Sequence, residues 1–432
     1  MAGKTGTSRV FLLLQGLMGP FFSRLGSALL SDGHTVHGVM FNGGDRFFWR
    51  GPNAVNYAGR PADWPEFLER LIIARHVTDV VLFGDGRPIH RAAVAVCGRL
   101  QVQVHVFEEG YVRPDYVTLE RDGVNGHSSL PRDPQWYRDA AANLPPVAKL
   151  PPVPFSFNTR VRQGIAYNLA QLTLSWRYPH YQSHRPWHPL HEGFGWLKRL
   201  RERKGARVRS AELVHELWAS GDPYFVFPLQ LENDSQLQLH SPFRTLAPAI
   251  EHVIASFATN AVPGTRLVVK QHPLDNGLND WRAMVAGFAR THNVGDRVSY
   301  MEIGDIVPVV ERSRGLVTIN STTGTLALTV GVPTVVLGQA VYDIPGMTFQ
   351  GPLDRFWIAP EPPDAELFAA FRRVLIARCL IPGGFFSEHG LSLLVSSAVA
   401  RLTAAGATHA VRATTSRVSA ERARFAAQGL AS

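Results

Sequence analysis

Cysteine is nearly absent from this chain. Its 432 residues include two, Cys97 and Cys379, far apart in segments that read as helices. That excludes a disulfide framework and any cysteine-based zinc spacing, and it fits a reducing, cytoplasmic setting. Long hydrophobic runs are missing too. No stretch reaches the roughly 18 apolar residues of a membrane span, so any membrane contact is expected to be peripheral. The basic start followed by Val10-Phe11-Leu12-Leu13-Leu14 imitates a secretory leader, but Gln15, Gly16, Gly19 and Pro20 interrupt it before a clean cleavage site, so a strand is expected there instead. With 45% apolar and 18% charged residues, the chain has the makeup of a globular protein with more than one core.

Acidic residues are scarcest where cations are densest. Between Arg160 and Ser210 stand eleven Lys/Arg against Glu192 and Glu202, an excess equal to the formal +9 of the whole chain. Trp176, Tyr178, Tyr181, Trp187 and Trp196 are interleaved with those charges. Such a surface suits phosphates on lipid headgroups, with Lys198, Arg199, Arg201 and Arg203 as the docking cations. The plainer reading is a solvated helical face whose aromatics pack inward. Nucleic acid is not expected as a partner, because charge alone would support it.

Strand and helix patterns alternate along both halves. Strands are expected at 10–14, 35–41, 79–83 and 101–107, then at 224–228, 266–270, 298–301, 315–319 and 334–337. Helices are expected at 21–31, 64–75, 90–99, 243–258, 281–291, 305–312, 325–330 and 364–377. Such alternation argues for parallel βαβ units with ligands at the carboxyl ends of the strands. Five prolines between 145 and 154 read as a stiff connector. The division expected is an acceptor-side Rossmann-like domain at 1–144, a connector and basic aromatic helical region at 145–220, a nucleotide-sugar domain at 221–402 and a loose tail at 403–432. Two doubly wound α/β domains facing a cleft make a GT-B-like fold.

The polar clusters sit where strands stop. Glu108, Glu109 and Gly110 follow an alternating strand, so one carboxylate can serve as a general base while the other shapes the loop. Lys270, His272 and Pro273 place an ammonium and an imidazole where a leaving phosphate needs them. Asn320, Ser321, Thr322, Thr323 and Gly324 lead into an apolar helix and form an anion-binding turn or a simple cap. Asp234, in an Asn-Asp-Ser turn, is either a turn residue or a carboxylate nucleophile. Gln15, Gly16, Asn42 and Asp45 end the first two strands and are candidates for the acceptor side.

These segments resemble capsule polysaccharide biosynthesis proteins of the KpsS/LipB type. The likeness is carried by Leu14-Gln15-Gly16, Phe41-Asn42-Gly43-Gly44-Asp45, Phe83-Gly84-Asp85 with Arg87-Pro88-Ile89-His90, and Phe107-Glu108-Glu109-Gly110-Tyr111. It continues through Pro228-Leu229-Gln230 with Asp234-Ser235-Gln236, then Lys270 with His272-Pro273, and Asn320-Ser321-Thr322-Thr323-Gly324. The resemblance implies a retaining β-Kdo transferase that moves Kdo from CMP-Kdo to a phosphatidylglycerol-type lipid. It implies work at the cytoplasmic face of the inner membrane beside a KpsC-type partner and the capsule export machinery. By the same likeness Glu109 is the base, His272 and Pro273 contact the CMP, and Asp234 is the nucleophile. Arg113 or Arg87 is a candidate for the Kdo carboxylate, and neither a cofactor nor a metal is called for. One departure is Gly86, where the family pattern leads one to expect a small polar residue or cysteine. Two other readings stay open: a GT-B enzyme acting on a UDP-sugar, and a nonenzymatic capsule assembly or export factor.

Overall fold

A computed structural model describes residues 8–404, apart from 114, 149, 184–186 and 188. The expected tail at 403–432 therefore lies outside the described residues except for its first two positions. Twelve strands form two sheets: β1 (Val10–Leu13), β2 (Thr35–Met40), β3 (Ala54–Asn56), β4 (Asp79–Phe83), β5 (Gln103–Glu109), β6 (Tyr116–Arg121), β7 (Tyr224–Pro228), β8 (Arg266–Lys270), β9 (Val298–Met301), β10 (Gly315–Thr318), β11 (Thr334–Val336) and β12 (Leu380–Pro382).

The first sheet runs β12-β6-β5-β4-β1-β2-β3 and the second β11-β10-β7-β8-β9. From β3 through β5 the first is parallel, as is all of the second. Each has the doubly wound order in which the chain reverses direction beside its first strand, opening a crevice at the carboxyl ends. For the first sheet that point lies between β1 and β4, and for the second between β7 and β10. Strands buried on both faces read as nearly continuous apolar runs, and Phe225, Val226 and Phe227 of β7 are fully buried. Apolar clusters line both faces of each sheet. Phe11, Leu25 and Leu394 meet on one side of the first, and Leu12, Leu68 and Val96 on the other.

The last part of the chain corrects the expected boundary at 402. After the helix Ala365–Arg378, strand β12 pairs antiparallel with β6, and the helix Glu388–Thr403 brings Leu391, Leu394, Ala398 and Leu402 against the core of the first sheet. Without β12 the backbone of β6 would be an unpaired edge. The connector region is also divided. Helix Phe157–Thr173 lies on the first domain, where Gly43 and Gly44 leave room for Ala170 and Tyr167. The long helix Pro189–Ser220 is fastened to the second domain by a bidentate Arg209–Glu302 pair at 2.9 and 2.8 Å.

Candidate active site

Strand β5 runs two residues further than its alternation suggests, because β6 turns back and pairs Glu108 with Thr118 and Glu109 with Val117. The turn between them tolerates no side chain at its first residue: a Cβ on Gly110 would stand 2.0 Å from the Tyr116 carbonyl oxygen. Neighbours on a strand point to opposite faces, so the two glutamates meet different surroundings. Glu108 leans over the loop after β4, with Oε2 3.1 Å from where a Cβ on Gly84 would lie, and its Oε1 accepts from the Glu109 N–H at 3.0 Å. Burial, with the charges of Glu109 and Asp234 nearby, pushes its carboxyl up to about 7. Burial acts the same way on Glu109 but is outweighed by two guanidiniums, Arg113 at 2.9 Å and Arg160 at 3.0 Å, which hold it below the usual range.

Across the cleft, Asp234 caps the short helix Ser235–Leu239 by accepting from the Gln236 N–H at 2.9 Å. Its other carboxylate oxygen accepts from Gln230 at 3.2 Å, and the same Gln230 amide donates to Asn320 Oδ1 at 2.8 Å. The loop after β7 is thus tied to the turn after β10 over the reversal point of the second sheet. Burial raises the Asp234 carboxyl, and the Glu109 charge adds to that rise. After β8, His272 Nδ1 accepts from the Leu274 N–H at 3.0 Å, which leaves the proton on Nε2. Burial, then the Arg113 charge, lowers its pKa to about 4, so it meets a ligand as a neutral donor. The loop is held from below by Asp275, which accepts from Gln271 at 3.0 Å and Trp281 at 3.0 Å.

Glu109 therefore lies within electrostatic reach of both Asp234 and His272, and Arg113 acts on all three as well as on Glu108. Two further contacts close the domains together. Thr325 Oγ1 donates to the Tyr111 carbonyl at 3.0 Å, setting the Asn320–Gly324 turn beside the Glu109-Gly110 turn. Gly86 packs on Ser235 so closely that an added Cβ would stand 2.7 Å from the Ser235 Cβ. The position where the family pattern suggested a larger residue is a point of domain contact.

Other expected residues take different places. The ammonium of Lys270 is buried and donates to the backbone carbonyls of Gln271 at 2.9 Å and Glu302 at 3.4 Å. Burial and the nearby Arg199 lower its pKa to about 8. In the Ser-Thr turn, Ser321 Oγ accepts from the Thr323 N–H at 3.2 Å and meets the Thr323 hydroxyl at 3.1 Å; Thr322 is the helix N-cap. Arg87 lies at the reversal point of the first sheet and donates to the carbonyls of Gln15 and Gly16 at 3.2 and 3.1 Å. Gln15, Asn42 and Asp45 form a buried network with the Tyr167 hydroxyl, which donates to Asp45 at 2.7 Å and accepts from Asn42 at 2.8 Å. Arg199 binds the carbonyls of Pro273 and Asp275 and so braces the His272 loop, while Lys198, Arg201 and Arg203 are exposed. Among the described residues, no group of three or more His, Cys, Asp or Glu side chains is gathered to hold a metal.

Sequence reasoning did not pick out Arg160, which lies on the first turn of the helix Phe157–Thr173 behind its Ser156 cap. It assigned no role to Asp85 or His240 and did not name His127. Asp85 accepts from His127 at 2.9 Å, and the two imidazoles meet edge to face across the domains at 4.5 Å.

Among solved structures, a KpsC beta Kdo 2,7 transferase from Thermosulfurimonas dismutans is similar at 13% identity with a TM-score of 0.41, over 90% of this chain and 99% of that one. The capsule polysaccharide modification protein LipB of Neisseria meningitidis serogroup B is 36% identical over 383 residues, 87% of this chain and 91% of LipB. The capsule polysaccharide export protein KpsS of Escherichia coli is 34% identical over 382 residues, 88% of this chain and 97% of KpsS. A family model described as capsule polysaccharide biosynthesis protein matches residues 78–386, which hold nearly every cleft residue described above, and the chain belongs to that family.

Proposed function

We propose that this protein is a retaining β-Kdo transferase that takes Kdo from CMP-Kdo and places it on a phosphatidylglycerol-type lipid at the inner face of the cytoplasmic membrane. The reading is supported by the convergence of Glu109, Asp234 and His272 around Arg113, at the facing edges of two doubly wound sheets. The resemblance of these motifs to the KpsS/LipB type supplies the choice of sugar and nucleotide. A KpsC-type transferase and the export machinery would follow it.

In this scheme an Asp234 carboxylate oxygen attacks the anomeric carbon of Kdo. The bond from that carbon to the phosphate oxygen of CMP breaks, and CMP leaves with the electron pair. His272 Nε2–H and the hydroxyls of the Ser321–Thr323 turn donate to the departing phosphate, and Lys270 sets a positive charge beneath the loop. An acceptor hydroxyl, giving its proton to Glu109, then attacks the same carbon and releases Asp234, so two inversions yield net retention. Arg113, half exposed and already on a carboxylate, is suited to the Kdo carboxylate. When the donor draws Arg113 away, Glu109 loses one of the charges that depress its pKa and becomes a better base as the site fills.

Mass spectrometry of the lipid formed from defined phosphatidylglycerols tests this reading. Addition of one or more Kdo units from CMP-Kdo is expected. Transfer from a UDP-sugar in its place, or an unchanged lipid with either donor, would overturn it.

A further inference from the structure

Helix Phe157–Thr173 has two unlike faces. Inward, Arg160 reaches Glu109, and Tyr167 and Ala170 pack against the glycines at 43 and 44. Outward, Phe157, Val161, Ile165 and Leu169 recur every four residues and are all exposed, Ile165 by 56% and Leu169 by 57%. A helix on a soluble surface ordinarily turns such a stripe toward a core. A contiguous exposed stripe marks an interaction site.

The pattern continues beyond that helix. Trp176 is 73% exposed, and Phe194, on the first turns of helix Pro189–Ser220, is 71% exposed. Glu192 lines the same cavity as Asn168 and Gln171, so the two helices approach one another near Phe194. Exposed cations accompany the apolar residues along the chain: Arg162 and Arg177 beside the first stripe, and Lys198 and Arg201 one and two turns after Phe194. No helix among the described residues is long and apolar enough to cross a membrane.

We propose that this two-helix surface is a bilayer contact whose apolar side chains enter the acyl boundary of an anionic membrane while its cations meet headgroup phosphates. An apolar stripe accompanied by Lys and Arg in a segment that carries the chain's whole cationic excess is complementary to anionic lipid. The inference rests on the lipid-acceptor reading and deepens it. Because one helix presents Ile165 and Leu169 outward and Arg160 to the cleft, seating it on the bilayer brings a lipid headgroup toward Glu109. The docking set narrows accordingly: Arg199 braces the His272 loop, and the exposed cations and apolar stripe do the binding.

The test compares the full chain with the double variant Ile165→Glu/Leu169→Glu in two assays. One is co-sedimentation with vesicles of phosphatidylglycerol and phosphatidylethanolamine, or of phosphatidylcholine alone. The other is Kdo transfer from CMP-Kdo to a short-chain, water-soluble phosphatidylglycerol. The wild type is expected to pellet with the anionic vesicles, and the variant to bind them at least about tenfold less, with an unchanged melting temperature and unchanged turnover on the soluble acceptor. Equal pelleting of both proteins would overturn the inference. So would sedimentation showing that the wild type is a dimer and the variant a monomer while vesicle binding is the same, which would make the surface a contact between copies. Loss of vesicle binding in the variant, with no transfer by either protein, would keep the membrane surface and reject the transferase reading.

Discussion

Replacing Arg160 with glutamine removes one of the two guanidiniums that hold Glu109. At 3.0 Å a pair of unit charges attracts by roughly 5 kcal/mol at an effective dielectric of about 20. Arg160 is 27% exposed and Glu109 19%, and both shed water to meet, so a net contribution of about 1–2 kcal/mol is the reasonable expectation. That corresponds to about one pKa unit. Arg113 stays in place, so Glu109 moves up from its depressed value but remains ionised at neutral pH. The acid limb of kcat/KM for Kdo transfer should shift upward by about one unit in Arg160→Gln, with less than about a tenfold loss at neutral pH. Glu109→Gln should lose roughly 10²–10⁴-fold above the acid limb, the range of a lost general base, and should lack that limb. Stability should move in a matching direction. A carboxyl whose pKa is lower in the folded state stabilises above its unfolded pKa, and that stabilisation fades as the pH falls through the folded value. Arg160→Gln should therefore cost more at neutral pH than under strong acid. The reasoning is refuted if the acid limb stays put in Arg160→Gln and moves instead in Glu108→Gln, because Glu108, pushed up to about 7, would then be the base.

Further outcomes follow from the same geometry. Gly86→Ala forces a Cβ against Ser235 next to the Asp234 cap; a destabilisation of about 1–3 kcal/mol and reduced turnover are expected, and an unchanged melting temperature would mean that the domains do not meet there. Asn320→Ala leaves Gln230 without one of its partners, so denaturant titration should show a loss of about 1–3 kcal/mol together with weaker nucleotide binding. His272 carries a folded pKa of about 4 against an ordinary 6.5. Between those values the unfolded chain binds a proton that the folded chain refuses, so stability falls as the pH drops from about 6.5 toward 4. The same fall should be shallower by up to about 3 kcal/mol in His272→Asn, and identical profiles for the two proteins would show that the imidazole is not so perturbed.

Much of the fold was legible because buried parallel strands write themselves as short apolar runs between turn residues. Strands β4, β7, β8 and β9 begin and end where their patterns do. Helices Phe21–Ser31, Trp64–Arg75 and Trp281–Thr291 do the same. Strand β12 was not legible, because three residues carry no period and its pairing with β6 is settled by distant packing. For the same reason the expected second domain ran too far and took in a segment that belongs to the first. At the site, Glu109 and His272 stood out because polar residues at the end of an apolar run are visible locally, whereas Asp234, six residues past β7, was marked as a nucleophile only by the family likeness. Arg160 did not stand out, since one cation among eleven in a basic stretch has no local mark, and only the packing of Ala170 and Tyr167 on the glycines at 43 and 44 turns it toward Glu109.

Peptide mapping by mass spectrometry of the Glu109→Gln protein, quenched in acid after incubation with CMP-Kdo alone, tests the central chemistry most directly. A Kdo adduct on the peptide containing Asp234, lost in the Asp234→Ala/Glu109→Gln double variant, is the predicted result. An adduct on another residue, or Kdo transfer that persists in Asp234→Ala at the wild-type rate, would contradict it.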